Sequence, residues 1–253
     1  MTANNIHTEF VKNHFETYAS TGKWQSLYSK NINSNNFPFF LRIKWFEKII
    51  NKISPDNILD VGCGSGDFIP IIPTTISSYL GIDLSMSMIK SANIIIKQFP
   101  KNIQKKFQAH QTEFMSFNPQ KKYDFILSSG FLEYFENLKE VCQKLYKLNN
   151  KNSYLAIQVP NREFYRWKGI SLEKKSDKGF AHYRISKEEC DEILKSVGYK
   201  KISGEYINVF FFNYSHKFPR LHVLLNRLLN NLFSDNFLKR RSSMYCGLYK
   251  KNN

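Results

Sequence analysis

Hydrophobic residues recur at helical spacing in the first part of the chain. Leu41, Trp45 and Ile49 follow one another at intervals of four residues, which is typical of an amphipathic helix. The same spacing predicts three helices, over 9–18, 24–28 and 39–52. The triplet Ser54-Pro55-Asp56 then interrupts the pattern, so we expect this helical segment to end there.

Short apolar runs replace the helical pattern beyond residue 57. Each run is too short for a helix, and helical or turn-rich segments separate them. The runs lie at 58–61, 79–82, 123–127 and 154–159. Strands that alternate with helices favour a mostly parallel sheet that is covered on both faces. The pattern therefore predicts an α/β fold with a doubly wound sheet.

The last third of the chain combines a capped helix with a helical insertion between two strands. Ser186, with Glu189 three residues later and Gly198 beyond, predicts a helix that begins after Ser186 and ends at Val197. Strand-like runs at 202–212 and 243–248 flank an insertion at about 208–241. We interpret residues 1–53 as a helical lid and residues 54–253 as the main domain.

The centre of the insertion, residues 220–233, is amphipathic. Its leucines share one helical face: Leu221, Leu224, Leu225, Leu228 and Leu232. We expect this stripe to be buried as core, as a lid or at a dimer seam. The alternative is a basic amphipathic helix that lies on an anionic membrane together with Lys239, Arg240 and Arg241.

Composition narrows the class of protein. With 42% hydrophobic and 15% aromatic residues, the 253-residue chain is too apolar to be disordered. It contains no run of about 20 apolar residues, and its first residues do not resemble a signal peptide, so we predict neither a spanning helix nor a secreted protein. The four cysteines form no Cys-x-x-Cys pair, which favours the reducing cytoplasm over a disulfide or zinc framework.

The net charge of +16 would suit a nucleic acid or an anionic membrane. Only eight of the 37 basic residues are Arg, however, and the lysines are interspersed with Asn and Ile. We therefore attribute the charge mainly to compositional drift and do not expect a nucleic-acid partner. Peripheral membrane contact stays open, and the protein is expected to be a monomer or a homodimer.

The informative motif is LDVGCGSGDF at 59–68, directly after a predicted strand. Its three glycines allow a tight turn and let a ligand approach the backbone, and a helix N-terminus is expected to follow. Asp67 stands where a dinucleotide-binding loop needs glycine, and no Gly-Lys-Ser/Thr follows, so neither NAD nor a phosphate loop is indicated. Asp83, at the end of the second strand, could accept both hydroxyls of a ribose. A nucleoside with a cationic sulfonium, S-adenosylmethionine, fits this pair of features.

Residues 57–199 resemble the class I S-adenosylmethionine-dependent methyltransferases. LDVGCGSG is similar to the first motif of that family, and GIDLS at 81–85 with Met88 is similar to the second. Glu113-Phe114 resembles the third motif, although Thr112 takes the place of the acid in a shifted alignment, and SSGFLEY at 128–134 resembles the fourth. The resemblance implies a Rossmann-like, seven-stranded sheet that binds S-adenosylmethionine and releases S-adenosylhomocysteine.

The resemblance also implies residue roles. Asp60 would order the ammonium group, Gly62 and Gly64 would pass beneath the methionine part, and Leu84 would lie against the adenine. The expected cofactor-binding residues are Asp60, Gly62, Cys63, Gly64, Gly66, Asp83, Leu84, Met88, Glu113, Phe114 and Ser129. No metal ligands are predicted. Asn149-Asn150-Lys151-Asn152 replaces the family's Pro-Gly-Gly turn, and Asn tolerates a left-handed turn well.

Candidate residues for the acceptor side are less specific. Tyr134 stands where many family members carry a histidine, so His182 is the remaining candidate for a general base, because an imidazole titrates near neutrality. Tyr18, Tyr28, Tyr134 and Tyr183 are the candidate substrate-binding residues. No Asn/Asp-Pro-Pro-Tyr/Phe motif follows the fourth strand, which favours a small-molecule acceptor of a methyl group at oxygen or nitrogen. Alternatives are a lipid-linked or nucleic-acid acceptor, or a non-catalytic S-adenosylmethionine-binding module.

Overall fold

The computed structural model describes residues 3–28, 31–170, 173–175, 181–211, 217–229 and 232–252. The helices of this part are α1 (Ala3–Ser20), α2 (Lys23–Leu27), α3 (Phe37–Ile53), α4 (Met86–Ile96), α5 (Lys101–Gln104), α6 (Leu138–Leu148), α7 (Arg162–Trp167), α8 (Lys187–Val197), α9 (Pro219–Leu229) and α10 (Asp235–Arg241). The strands are β1 (Asn57–Val61), β2 (Ser78–Asp83), β3 (Phe107–Gln111), β4 (Tyr123–Ser129), β5 (Asn149–Pro160), β6 (Glu173–Lys175), β7 (Ala181–Tyr183), β8 (Tyr199–Val209) and β9 (Ser242–Lys251).

Seven strands form one mixed sheet in the order β3-β2-β1-β4-β5-β9-β8. Strands β1 to β5 pair in parallel, and β9 runs antiparallel between β5 and β8. The separate pair β6-β7 is an antiparallel hairpin. The prediction of a doubly wound, mostly parallel seven-stranded sheet is confirmed.

Helices cover both faces of the sheet because its strands are apolar on both sides. Alternate residues of β1 show the division: Ile58 packs with α3 and α4 on one face, whereas Leu59 packs with α6 and α8 on the other. Both residues are fully buried. The helical faces that meet the sheet carry residues such as Phe46, Leu145 and Leu194. No helix in the described ranges is long and apolar enough to cross a membrane.

Most elements coincide with the predicted ones, and the exceptions have local reasons. Strand β3 was not predicted, because as the edge strand of the sheet it alternates buried and exposed residues instead of forming an apolar run. The Asn-rich turn behaves as expected, since Asn152 takes a left-handed φ of 58° within an irregular start of β5.

The expected helix after the glycine motif is absent, and that prediction was wrong. A 3₁₀ turn at Ile69–Ile71 takes its place before the chain enters β2. Pro70 lies within this turn and Pro73 follows it, and proline in a helix interior removes a donor and clashes with the preceding turn.

The predicted helix over 220–233 is divided, with α9 ending at Leu229 and α10 beginning at Asp235. The expectation that its leucine stripe is buried as core or lid on the domain was wrong, whereas the dimer seam stays a prediction. The stripe is exposed at Leu221, Leu224, Leu228 and Leu232 and half-buried at Leu225. The face that packs on the domain instead carries His222, Val223 and Asn226. Two of these three are polar, and a sequence pattern assigns polar residues to the outside.

Candidate active site

One large cavity lies at the carboxyl ends of the parallel strands, where α/β sheets bind their ligands. Its volume is about 1100 Å³. The loop after β1, the end of β2 and the segments after β3 and β4 form its floor. Residues of α1, including Phe15, and the side chains of Trp24, Tyr28 and Arg42 form a further wall.

The three glycines of the loop after β1 have left-handed φ angles for different reasons. A Cβ on Gly62 would lie 2.7 Å from the Phe131 ring, so Gly62 makes room for a neighbouring side chain. A Cβ on Gly66 would lie 3.0 Å from the backbone of Ala92, so Gly66 lets the loop approach α4. Gly64 has no atom closer than 3.5 Å to this position. Of these three positions, Gly64 is therefore the one where the absence of a side chain leaves space in the cavity.

The Asp83 carboxylate is oriented by the backbone on both sides. Gly64 N–H donates to Oδ2 at 3.0 Å, and Ser85 N–H donates to Oδ1 at 2.9 Å. Each oxygen keeps a second lone pair for a ligand. Burial raises the pKa of Asp83 to about 6, although these two hydrogen bonds lower it. The predicted ribose acid is thus held rigidly at the cavity, beside the glycine loop.

Asp60 lies beneath the loop and is fully buried. Tyr79 Oη donates to its Oδ2 at 2.7 Å, whereas Oδ1 has no hydrogen-bond partner within the described residues. Burial, with repulsion from Asp67 and Asp83, raises the pKa of Asp60 to about 7. A buried carboxylate oxygen without a donor is costly, and a cationic ligand above it would lower that cost.

Asp67 joins the loop to the N-terminal helices. Trp24 Nε1–H donates to its Oδ2 at 2.9 Å, and Ser65 Oγ–H donates to Oδ1 at 2.6 Å. Burial raises the pKa of Asp67 to about 6, and the two hydrogen bonds oppose that rise. Asp67, which argues against a dinucleotide-binding loop in the sequence, therefore positions Trp24 in the wall of the cavity.

The remaining predicted cofactor-side residues reach the cavity with few exceptions. Cys63, Leu84, Met88, Phe114 and Ser129 line it. Glu113 also lines it, and its carboxylate accepts hydrogen bonds from Met115 N–H and the Ser116 hydroxyl. Asp60 and Gly66 are not among the lining residues, since one lies below the loop and the other packs on α4.

Three of the four predicted substrate-side tyrosines line the cavity, namely Tyr28, Tyr134 and Tyr183. Burial raises the pKa of Tyr28 and Tyr134, so both phenols stay protonated and can donate hydrogen bonds. Tyr18 is not a lining residue and instead packs edge-on against Trp24. His182 lies in β7, next to Tyr183, but its side chain is outside the described part of the chain.

Arg42 is a lining residue that the sequence analysis did not single out. Its guanidinium lies 4.9 Å from the centre of the Phe39 ring and also hydrogen-bonds Tyr28. Arg42 comes three residues after Phe39 and three before Trp45, on a helix that is otherwise mostly apolar on this side. A charged residue at that spacing was the available signal. No group of three or more metal-ligating side chains occurs among the described residues.

The chain matches the family described as "Methyltransferase domain" over residues 38–209. That match covers well over half of the chain, which therefore belongs to this family. Its sheet has the strand order of the class I S-adenosylmethionine-dependent methyltransferase fold.

Curated relatives are distant in sequence. An uncharacterized protein of Methanocaldococcus jannaschii is 29% identical over 154 residues, which are 57% of this chain and 40% of the relative. A ubiquinone biosynthesis O-methyltransferase of Nitrosomonas europaea is 24% identical over 122 residues, which are 48% of this chain and 51% of the relative. The chain thus spans about half the length of these relatives, or less.

Among solved structures, magnesium protoporphyrin IX methyltransferase from Synechocystis PCC 6803, with bound S-adenosylmethionine, superposes with a TM-score of 0.68. The alignment covers 100% of both chains at 12% identity. At this identity the likeness establishes the shared fold.

Proposed function

We propose that the protein is an S-adenosylmethionine-dependent methyltransferase that methylates an oxygen or nitrogen of a small-molecule acceptor. The observation that carries the proposal is the grouping of Gly64 and Asp83 in the cavity wall, with the unpartnered oxygen of the buried Asp60 beneath the same loop. Tyr28 and Arg42 line the same cavity. Family membership and the structural likeness support the same activity.

The residues present fit S-adenosylmethionine. Asp83 keeps one lone pair on each oxygen for the two ribose hydroxyls. Three buried acids with raised pKa values favour a ligand that brings positive charge. The cavity, at about 1100 Å³, exceeds the roughly 300–1,000 Å³ of an ordinary ligand pocket, so it has room for a nucleoside and a small acceptor together.

When bound, S-adenosylmethionine supplies an electrophilic methyl group on its sulfonium. The chain's contribution is to orient the two reactants in line and to exclude water, which is sufficient for large accelerations. Asp83 and the loop fix one reactant, while Tyr28 and Tyr134 can donate hydrogen bonds to the other. The acceptor loses a proton when it gains the methyl group, and we assign His182 as the group that takes it.

A small acceptor is supported by the walls of the cavity. Phe15 of α1 packs edge-on against both Trp24 and Tyr134, so α1 and α2 extend over the strand ends. An aromatic enclosure of this kind suits a compact organic molecule better than a polymer strand. Arg42 provides one cationic group inside the enclosure.

Calorimetric titration with S-adenosylmethionine tests the proposal. The wild type should bind, and Asp83→Ala should lose at least about tenfold in affinity, because a charge-assisted pair of hydrogen bonds contributes about 1.5–3 kcal/mol. Asp235→Ala is the matched control, since it removes an exposed carboxylate that pairs with Lys187. Equal affinities of all three proteins would refute the site, and retained binding without transfer to any acceptor would favour a non-catalytic module.

A further inference from the structure

Helix α9 presents an apolar surface to solvent. Leu221, Leu224 and Leu228 lie at successive helical turns on its outer side, and all three are exposed. Phe218, before the helix, and Leu232, beyond it, are also exposed. We call these five residues the α9 face. Leu221, Leu224 and Leu228 share one helical face, and exposed apolar patches mark sites of interaction with proteins or membranes.

Buried hydrogen bonds attach the opposite side of α9 to the domain, so the α9 face points outward. His222 Nε2 lies 2.8 Å from Asn208 Oδ1, and Asn226 hydrogen-bonds both the N–H and the C=O of Val209 at the end of β8. Val223 is buried on the same side. Rotating the leucines inward would break every one of these buried hydrogen bonds.

The α9 face belongs to the same end of the molecule as the cavity. The insertion follows the carboxyl end of β8, which runs parallel to β1 and β4. His222 packs on Phe37 at 4.6 Å between ring centres, and Phe37 begins the helix that carries Phe39 and Arg42. Phe39 in turn contacts Tyr28 in the cavity wall.

The positive charge around the α9 face indicates which kind of partner it binds. The chain has no acidic residue from Tyr206 to Ser234. Arg220 and Arg227 lie about two helical turns apart on α9. Both are exposed, and they flank the leucines on one side. A second copy would bring the same arginines against themselves in a chain of net charge +16. An anionic lipid surface accepts leucines among its acyl chains and arginines at its headgroups.

We propose that the α9 face docks the protein onto anionic lipid bilayers, with the cavity end of the sheet toward the membrane. The basic cluster beyond the insertion contributes less than its sequence indicates. Lys239 is paired with Glu188 at 2.8 Å, and Arg241 lies over the Trp167 ring at 4.5 Å. Arg240 is exposed, but Arg220 and Arg227 lie on α9 itself, so we assign the main electrostatic contact to these two arginines.

Flotation with vesicles of phosphatidylserine and phosphatidylcholine tests the proposal without any assay of methyl transfer. The wild type should float with these vesicles, float much less at high salt, and stay behind with pure phosphatidylcholine. The double substitution Leu224→Gln with Leu228→Gln should lower vesicle affinity by at least about tenfold. Arg220→Gln with Arg227→Gln should lower it by about tenfold and weaken its salt dependence.

Two control variants distinguish vesicle binding through the α9 face from non-specific hydrophobic or electrostatic binding. Ile94 and Ile202 are 61% and 43% exposed, comparable with Leu228 and Leu224 at 62% and 48%, and their double Gln variant should float like the wild type. Lys101→Gln with Lys105→Gln changes the net charge as the arginine pair does, at exposed positions in and directly after α5, and should change affinity little.

A labelled variant tests membrane contact even where a glutamine variant fails to fold. All four native cysteines are buried, so Leu228→Cys introduces a selectively reactive thiol for an environment-sensitive dye. Its emission should shift to the blue on phosphatidylserine vesicles. Flotation that is equal in the leucine variant and the wild type, or no flotation at all, would overturn the proposal. A wild-type dimer that the leucine variant abolishes, without vesicle binding, would overturn it in favour of a second copy.

Discussion

Asp60, Asp67 and Asp83 surround the glycine loop, and burial raises the pKa of each carboxyl group above its ordinary value of 3.8. Their hydrogen bonds to Tyr79, Trp24 and backbone N–H groups oppose that rise but do not cancel it. Concentrated negative charge is costly in the free protein. A bound cation lowers this electrostatic cost, whereas a bound phosphate would increase it. Such a loop would therefore select a sulfonium over a phosphate.

At the level of single residues, we predict that His182 acts in turnover and not in cofactor binding. If its imidazole takes the proton from the acceptor, His182→Ala should lower kcat by about 10²–10⁴-fold and leave the affinity for S-adenosylmethionine unchanged. His110→Ala, at an exposed position of β3, is the matched control. The measurement is steady-state kinetics with an acceptor found by screening. Turnover of the His182 variant near that of the control would exclude the role.

The N-terminal helices form a cavity wall because two of their side chains bond to the cofactor-side loops. Glu16 of α1 accepts hydrogen bonds from Met86 N–H at 2.6 Å and Ser87 N–H at 3.1 Å, at the start of α4. These bonds lower the pKa of Glu16, whereas its burial raises it. Trp24 of α2 donates to Asp67. The wall and the floor of the cavity are thus joined directly by hydrogen bonds.

At the level of elements, we predict that α9 depends on Asn226. Its amide satisfies the buried N–H and C=O of Val209 at 2.7 and 3.0 Å, so Asn226→Ala leaves two buried polar groups without partners. The free energy of unfolding should fall by about 1–3 kcal/mol. Urea denaturation measures it, and the exposed Asn102→Ala in α5 is the matched control. A change within about 0.5 kcal/mol would show that α9 does not need this anchor.

For the whole molecule, we predict that stabilisation by S-adenosylmethionine grows with pH. The folded-state pKa values of Asp60, Asp67 and Asp83, about 7, 6 and 6, lie above the ordinary 3.8. The free protein therefore loses stability as pH rises from about 4 through about 7. A cationic ligand favours the ionised acids, so it should raise Tm more at about pH 8 than at about pH 5.

Thermal unfolding with and without ligand measures this effect. S-adenosylhomocysteine is the matched ligand, because it keeps the nucleoside but has no charge on sulfur. Its Tm increase should depend less on pH. An S-adenosylmethionine effect that is constant or decreases between these two pH values would contradict the role of the three acids.

The sequence alone was sufficient to predict which candidate residues lie together at the strand ends. Strands β1 and β2 are mostly apolar, the glycine loop begins directly after β1, and Asp83 is the last residue of β2, so the strand ends and the candidate residues could be predicted together. Parallel strands bring their carboxyl ends to one edge, which places residues 60–67 beside Asp83 without further information. The alternation of runs with helical segments likewise determined the layered α/β architecture.

The tertiary structure decided what depends on contacts between distant segments. The role of Asp67 requires Trp24, 43 residues earlier, and Arg42 reaches the cavity from α3, which packs on a face of the sheet. The direction of the leucine stripe followed neither hydrophobicity nor periodicity. Val209 and Asn208, at the end of β8, offer buried hydrogen bonds to Asn226 and His222, and satisfying buried polar groups outweighs burying leucines. Periodicity shows that a helix has two faces, but only the groups it meets determine which one turns inward.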